Sequence, residues 1–148
     1  MRLSKTADYA LRIMVALAVA GEVRLSLQTI SKQERIPRKF LEHVVRSLKE
    51  AGLIQSAPGP KGGYTLLSPP STVSIAQILL AVQGPFLPAD RLDPNKVPKH
   101  LKTPVEKLHL VINDIRQFIR QRLGAIMLTD LVELHEVGNP HDALMYYI

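Results

Sequence analysis

Pro37-Arg38-Lys39-Phe40-Leu41-Glu42-His43-Val44-Val45-Arg46-Ser47-Leu48-Lys49-Glu50-Ala51-Gly52 is the stretch that decides the fold. It reads as a helix. Phe40, Leu41, Val44, Val45 and Leu48 recur at spacings of three and four, which lays one apolar stripe along the helix for burial. Pro37 suits the first helical position, where an amide has no partner to lose, and Gly52 suits the stop, because glycine takes the left-handed cap conformation cheaply. The opposite face carries Arg38, Lys39, Glu42, His43, Arg46 and Lys49. Such a face is cationic and rich in hydrogen-bond donors, as a helix in the major groove of DNA must be.

The flanks sharpen this reading. Upstream, Leu27 to Glu34 is a short helical segment with Leu27 and Ile30 inward and Ser26 as its cap. Gln33-Glu34-Arg35-Ile36 links it tightly to the next helix, which makes a helix-turn-helix. Downstream, Leu53-Ile54-Gln55-Ser56 and Tyr64-Thr65-Leu66-Leu67 are strand-like runs around Ala57-Pro58-Gly59-Pro60-Lys61-Gly62-Gly63. A proline- and glycine-rich loop between two such runs is a hairpin, here a wing. Lys61, Gly62 and Gly63 are its candidate contacts to phosphate or minor groove.

Charge points the same way. Residues 1–68 hold 11 Lys/Arg against 5 Asp/Glu, whereas residues 69–148 hold 8 against 8. The whole net charge of +6 therefore falls on the half with the helix-turn-helix and wing, an electrostatic footprint for double-stranded DNA. A hydrophobic content of 46% suits a globular protein, and the sequence shows neither an apolar run of membrane-spanning length nor a signal-peptide pattern. The expected location is cytoplasmic, with no membrane partner. With no cysteine, disulfides, thiolate catalysis and cysteine-ligated metal are excluded.

In chain order, Arg2, Ser4 and Lys5 form a short polar lead with candidate contacts to the DNA backbone. A helix over Thr6 to Ala20 follows, with Ala7, Ala10, Leu11, Met14, Leu17 and Ala18 on one face and Gly21 as its stop. After the wing, Ser74 caps a helix through Val82 with Ile75, Ile78, Leu79 and Val82 inward, and Gly84-Pro85 ends it. Residues 86–103 carry prolines and mixed charge and read as a long loop. From Pro104, the series Leu101, Val105, Leu108, Ile112, Ile115, Ile119 and Leu123 steps by 4, 3, 4, 3, 4 and 4, close to a heptad seam that Val111 and Phe118 widen. Val105, Leu108, Ile112, Ile115, Ile119 and Leu123 are the candidate dimerisation residues. Gly124 breaks the helix, and Thr129 caps a last one over Asp130 to Val137. The expected fold is mainly α: a winged helix-turn-helix with a small β-hairpin over residues 1–84, a loop over 85–103, dimerisation helices over 104–137 and a tail over 138–148.

These residues resemble the Rrf-two family of bacterial winged-helix transcription regulators. The resemblance rests on Met1-Arg2-Leu3 with Asp8-Tyr9-Ala10-Leu11-Arg12, on Ile36 to Glu42, on Lys49-Glu50-Ala51-Gly52-Leu53-Ile54, and above all on Gly59-Pro60-Lys61-Gly62-Gly63-Tyr64. Pro69-Pro70, Gly84-Pro85 and Leu128-Thr129-Asp130-Leu131 extend it over residues 1–137. It implies a homodimer on an imperfect palindrome, acting most often as a repressor, with the 37–52 helix in the major groove and the wing in the adjacent minor groove. Two-fold symmetry then sets two half-sites about one helical turn apart.

Three departures bear on mechanism. Many members bind an iron–sulfur cluster through three cysteines in the loop that corresponds to residues 86–103; none is present here, so no cofactor is expected. Pro58 stands where an arginine is common before the wing glycine, and Pro37 where a small hydroxyl residue is common. Asp8 matches a cluster-ligand position of some relatives but reads as structural here. Asp90, Asp93, His100 and His109, with His135, Glu136, His141 and Asp142, are the residue types that hold borderline metals, yet their spacing fits no closed-site signature. An effector small molecule, in a pocket between the DNA unit and the long helix, or a partner protein is then left to carry any signal.

Two other classes compete with this reading. Winged helices also serve as RNA-binding or protein-docking modules, and a metal-responsive sensor built on His and Asp ligands is the other alternative. Salt dependence combined with sequence preference separates them. An enzyme is not expected: Gly59 to Gly63 lacks the strand-to-helix context of a phosphate loop, and no nucleophile motif is present.

Overall fold

The computed structural model describes residues 3–84 and 103–136, leaving aside the side chains of residues 105, 106, 109 and 134–136. Its element order is α1 (Lys5–Ala20), α2 (Leu27–Glu34), α3 (Arg38–Glu50), β1 (Ile54–Ala57), β2 (Gly63–Leu66), a 3-10 turn Pro70–Thr72, α4 (Ile75–Gln83), α5 (Pro104–Ala125) and α6 (Leu128–Glu136). The helix-turn-helix, the two-stranded wing and the long helix of the sequence reading are all present. Arg2, the loop residues 85–102 and the tail fall outside the described residues.

Helix α1 is the hub, packing against α2, α3, α4, α6 and β2. Its inner face is small at the start and bulky further on: Ala7, Ala10, Ile13, Met14 and Leu17 are all fully buried. Ile13 was not foreseen on this face, whereas Leu11 and Ala18 lie at its margin, only partly buried. Ile30, Ile36, Leu41, Leu48, Ile54, Ile78, Leu79 and Leu128 complete the core with at most 2% exposure. One core therefore joins the helix-turn-helix, the wing base, α4 and α6.

Local chemistry sets the element ends. Ser4 and Ser26 cap α1 and α2, their hydroxyls accepting from the amides of Ala7 at 3.1 Å and Thr29 at 3.0 Å. Ser74 and Gln77 form a reciprocal capping box at the start of α4. Between α2 and α3, Arg35 adopts a left-handed conformation at φ 52°, while Ser31 bonds both the amide and the carbonyl of the buried Ile36. Helix α3 ends in a Schellman arrangement: Gly52 N donates to Lys49 O and Leu53 N to Leu48 O, with Gly52 at φ 70°.

Several expected details are corrected. Pro37 is the N-cap rather than the first helical residue, with ψ 133° and its carbonyl already accepting from Phe40 and Leu41. Phe40 is 56% exposed and is not part of the buried stripe, which consists of Leu41, Val44, Val45 and Leu48. Both strands begin and end one residue away from the expected positions, C-terminal for β1 and N-terminal for β2. Gly124 lies inside α5, which continues to Ala125. Thr129 lies within α6 and is not its cap; the Asp130 carboxylate instead reaches back to accept from Met127 N at 2.8 Å.

The end of the long helix is fastened to the winged unit through backbone. Ile75 N donates to Ile126 O at 2.9 Å and Leu128 N to Val73 O at 2.8 Å, around a bridge between Ser74 and Met127. Short bonds between otherwise irregular segments hold a joint in one geometry. Together with the packing of α5 on α4 and α6 on α1, they fix the direction in which α5 leaves the domain.

Candidate nucleic-acid interface

A helix turns about 100° per residue, so the residues opposite Leu41, Val44, Val45 and Leu48 are Lys39, His43, Arg46 and Glu50. All four are exposed. Arg38, Glu42 and Lys49 form one flank of this face; Arg38 Nε donates to Glu42 Oε1 at 3.0 Å, one turn along the helix. At 72% and 51% side-chain exposure this pair lies in water, so it orients the guanidinium rather than stabilising the fold. Phe40 lies on the other flank, its ring centroid 6.2 Å from that of Tyr9 on α1.

The wing stands beside this helix. Strands β1 and β2 pair antiparallel, with Ile54 opposite Leu66 and Ala57 opposite Gly63. Leu25 adds a third strand position, exchanging both backbone bonds with Tyr64 at 2.9 and 3.1 Å. This bridge between the start of α2 and the wing had no signature in the sequence. Lys49 Nζ donates to Ser56 Oγ at 2.8 Å, tying the end of α3 to β1. Lys61 is exposed at the hairpin tip.

Gly62 and Gly63 have a structural reason of their own. A Cβ on Gly62 would sit 2.3 Å from Ala57 O, and one on Gly63 would sit 2.8 Å from Leu25 O. Only glycine lets these strands close so tightly. The same compactness lets the tip backbone approach a phosphate.

The lead residues divide. Lys5 is exposed at the first turn of α1. Ser4 is spent internally, since its hydroxyl caps α1 and also accepts from Gln83 Nε2 at the end of α4. Arg35 escaped the sequence reading: it is exposed at the turn before α3, and no cap or spacing motif marks it. Lys49, read only as part of the cationic face, proves to be a brace.

Behind the interface, Arg12 bridges Asp8 at 3.4 Å and Glu34 at 3.3 Å and lies 6.0 Å from the Tyr9 ring centroid. Asp8, read from the sequence as structural, is paired with Arg12 one turn along α1. A groove of about 590 Å³ opens here, lined by Leu11, Val15, Gln33 and Leu131 among others. It lies over α1, α2 and α6.

Helix α5 carries an apolar stripe facing water. Leu108, Val111, Ile115 and Phe118 are 52–63% exposed and follow at steps of three and four. Ile112, Ile119 and Leu123 are half-buried, and Leu123 packs onto the core. Val111 and Phe118 therefore belong to the water-facing stripe itself. The Val105 side chain lies outside the described residues.

A thiolate-held iron–sulfur cluster does not fit a chain without cysteine. Among the described residues, no three His, Asp or Glu side chains come together as a ligand set. Asp90, Asp93, His100, His141 and Asp142, with the side chains of His109, His135 and Glu136, lie outside them. No described helix is long and apolar enough to cross a membrane.

A helix-turn-helix with a cationic recognition face, a braced wing and a long appended helix defines a winged-helix regulator of transcription. Comparison with known proteins agrees. The family model described as Rrf2, iron-dependent transcriptional regulator, matches residues 3–134, and the chain belongs to that family. The transcriptional regulator CymR of Bacillus subtilis is 31% identical over the whole of both chains. IscR of Cereibacter sphaeroides is 36% identical over 86 residues, 56% of each chain. Among solved structures, B. subtilis CymR, described as a global cysteine regulator, superposes with a TM-score of 0.72 at 30% identity, covering 90% of this chain and 97% of that one. T. potens IscR gives 0.74 at 25% identity, covering 94% and 91%. The chain is a DNA-binding transcriptional regulator of this family.

Proposed function

We propose that the chain works as a homodimeric repressor that reads a palindromic promoter site without an iron–sulfur cluster. Helix α3 enters the major groove with Lys39, His43 and Arg46 toward the bases and Arg38 held by Glu42 at its edge. The wing delivers Lys61 to phosphate or minor groove, and Lys5, with Arg2 ahead of it, contacts the backbone. The partner chain covers the α5 stripe. The protein acts in the cytoplasm, catalyses nothing, and takes its signal from a small molecule or a partner protein.

The observation that carries this reading is the pairing of two unpartnered surfaces on one rigid core. One is the cationic face of α3, braced to the wing by Lys49 and Ser56; the other is the water-facing stripe on α5. The first suits DNA and the second suits a copy of itself. Two-fold symmetry through α5 would then present two α3 helices to one duplex.

Site selection from random duplexes, with and without chelator and at two salt concentrations, tests it. A palindromic consensus that is indifferent to chelator and weakened by salt is expected. Salt-sensitive binding with no consensus would reject sequence-specific regulation, and a consensus that disappears only in chelator would reject the clusterless, metal-free assignment.

A further inference from the structure

We infer that Phe40 is a specificity residue that reads the C5-methyl group of a thymine in each half-site; this rests on the major-groove placement of α3 proposed above. The sequence pattern puts Phe40 in the core stripe, yet the side chain is 56% exposed. It belongs to the first turn of α3, on the flank away from Arg38 and Glu42 and one turn before His43, and the first turn of a recognition helix is the part that reaches the base edges. The interior face of α3 is already filled by Leu41, Val44, Val45 and Leu48, so the exposed part of the Phe40 ring stands on the flank of the cationic face, beyond its contact with Tyr9.

The ring is also held in place. Tyr9 meets it at a centroid distance of 6.2 Å and an interplanar angle of 52°, a tilted aromatic pair. Arg12 lies 6.0 Å from the Tyr9 centroid and is itself held by Asp8 and Glu34, so the supporting ring has its own anchor on α1 and α2. A ring positioned before binding loses little freedom on contact. The apolar group that DNA offers in the major groove is the thymine methyl, and a phenylalanine is among the side chains that meet it well. Lys39, His43 and Arg46 supply charge and hydrogen bonds on the adjoining face; Phe40 supplies the apolar contact that distinguishes thymine from cytosine at one position.

The test uses the full-length protein and the duplex recovered by site selection. Each thymine is replaced in turn by deoxyuridine, which removes the methyl and leaves every hydrogen-bonding group. At one symmetry-related position, wild-type affinity should fall about fourfold per half-site, the worth of one buried methyl. Phe40→Ala should bind the thymine duplex more weakly, show no further loss with deoxyuridine there, and keep the circular dichroism of the wild type. Repeating the selection with Phe40→Ala should relax the preference at that position alone. Deoxyuridine tolerated everywhere by the wild type would overturn the inference and leave the regulator reading intact. So would a Phe40→Ala protein with undiminished deoxyuridine sensitivity. Failure of the wild type to select any duplex would overturn both.

Discussion

Replacing Ile115 and Phe118 together by aspartate should convert the protein to monomers. Both side chains face water on the single chain, Ile115 at 52% and Phe118 at 63% exposure. Full burial of such a side chain is worth about 1.5–3 kcal/mol, so roughly half of that, about 1 kcal/mol each, remains to be gained from a partner. An isologous two-fold contact counts each residue twice, which brings the loss to about 4 kcal/mol before any cost of burying charge. That corresponds to about a thousandfold in the dimer dissociation constant. Sedimentation equilibrium over a wide concentration range reads it directly. Far-UV circular dichroism should stay unchanged, because neither residue belongs to the core of its own chain. Unaltered self-association in the double variant would refute the reasoning and assign the stripe to another partner. Charging Ile112 and Ile119 instead should lower the stability of the chain itself, since both are already half-buried within it.

Lys61→Ala should weaken binding evenly across sequences and make the slope of log K against log salt shallower by about one for each phosphate that Lys61 neutralises; an altered consensus would remove Lys61 from the backbone role. Gly62→Ala places a methyl 2.3 Å from Ala57 O, so the hairpin must open. DNA affinity should drop while helical circular dichroism persists, and full affinity would show the wing tip to be dispensable. Leu41→Ala removes a fully buried side chain beneath the recognition face and should cost about 2–5 kcal/mol in denaturant unfolding. A loss below about 1 kcal/mol would mean that the α3 core is not packed as described.

The winged helix was legible in the sequence because each of its signals is local. The Ser26 cap, the tight link through Ile36, the glycine at 52 and the Gly59-Pro60-Lys61-Gly62-Gly63 loop each act over a few residues, and the structure keeps all of them. What escaped is what depends on distant neighbours. Phe40 and Leu41 are adjacent apolar residues at the edge of one stripe; only the position of α1 decides that Leu41 goes inside and Phe40 pairs with Tyr9 at the surface. The heptad steps of α5 gave two overlapping stripes, and the seat on α4 and the core turned Ile112, Ile119 and Leu123 inward while Val111 and Phe118 faced water. The Leu25–Tyr64 and Ser74–Met127 bridges are backbone contacts between remote segments and leave no residue pattern behind. At the interface, spacing identified the cationic face of α3, but it could not show that Lys49 is engaged by Ser56, Ser4 by the α1 cap, or Arg38 by Glu42.

The most direct measurement of the central claim is a hydroxyl-radical footprint of the wild-type protein on its selected duplex, made at protein concentrations that keep it dimeric. Two protected patches related by a dyad, with centres about one helical turn or a whole number of turns apart, are predicted for two α3 helices presented by α5. A single patch without symmetry, or uniform protection along the duplex, would contradict it.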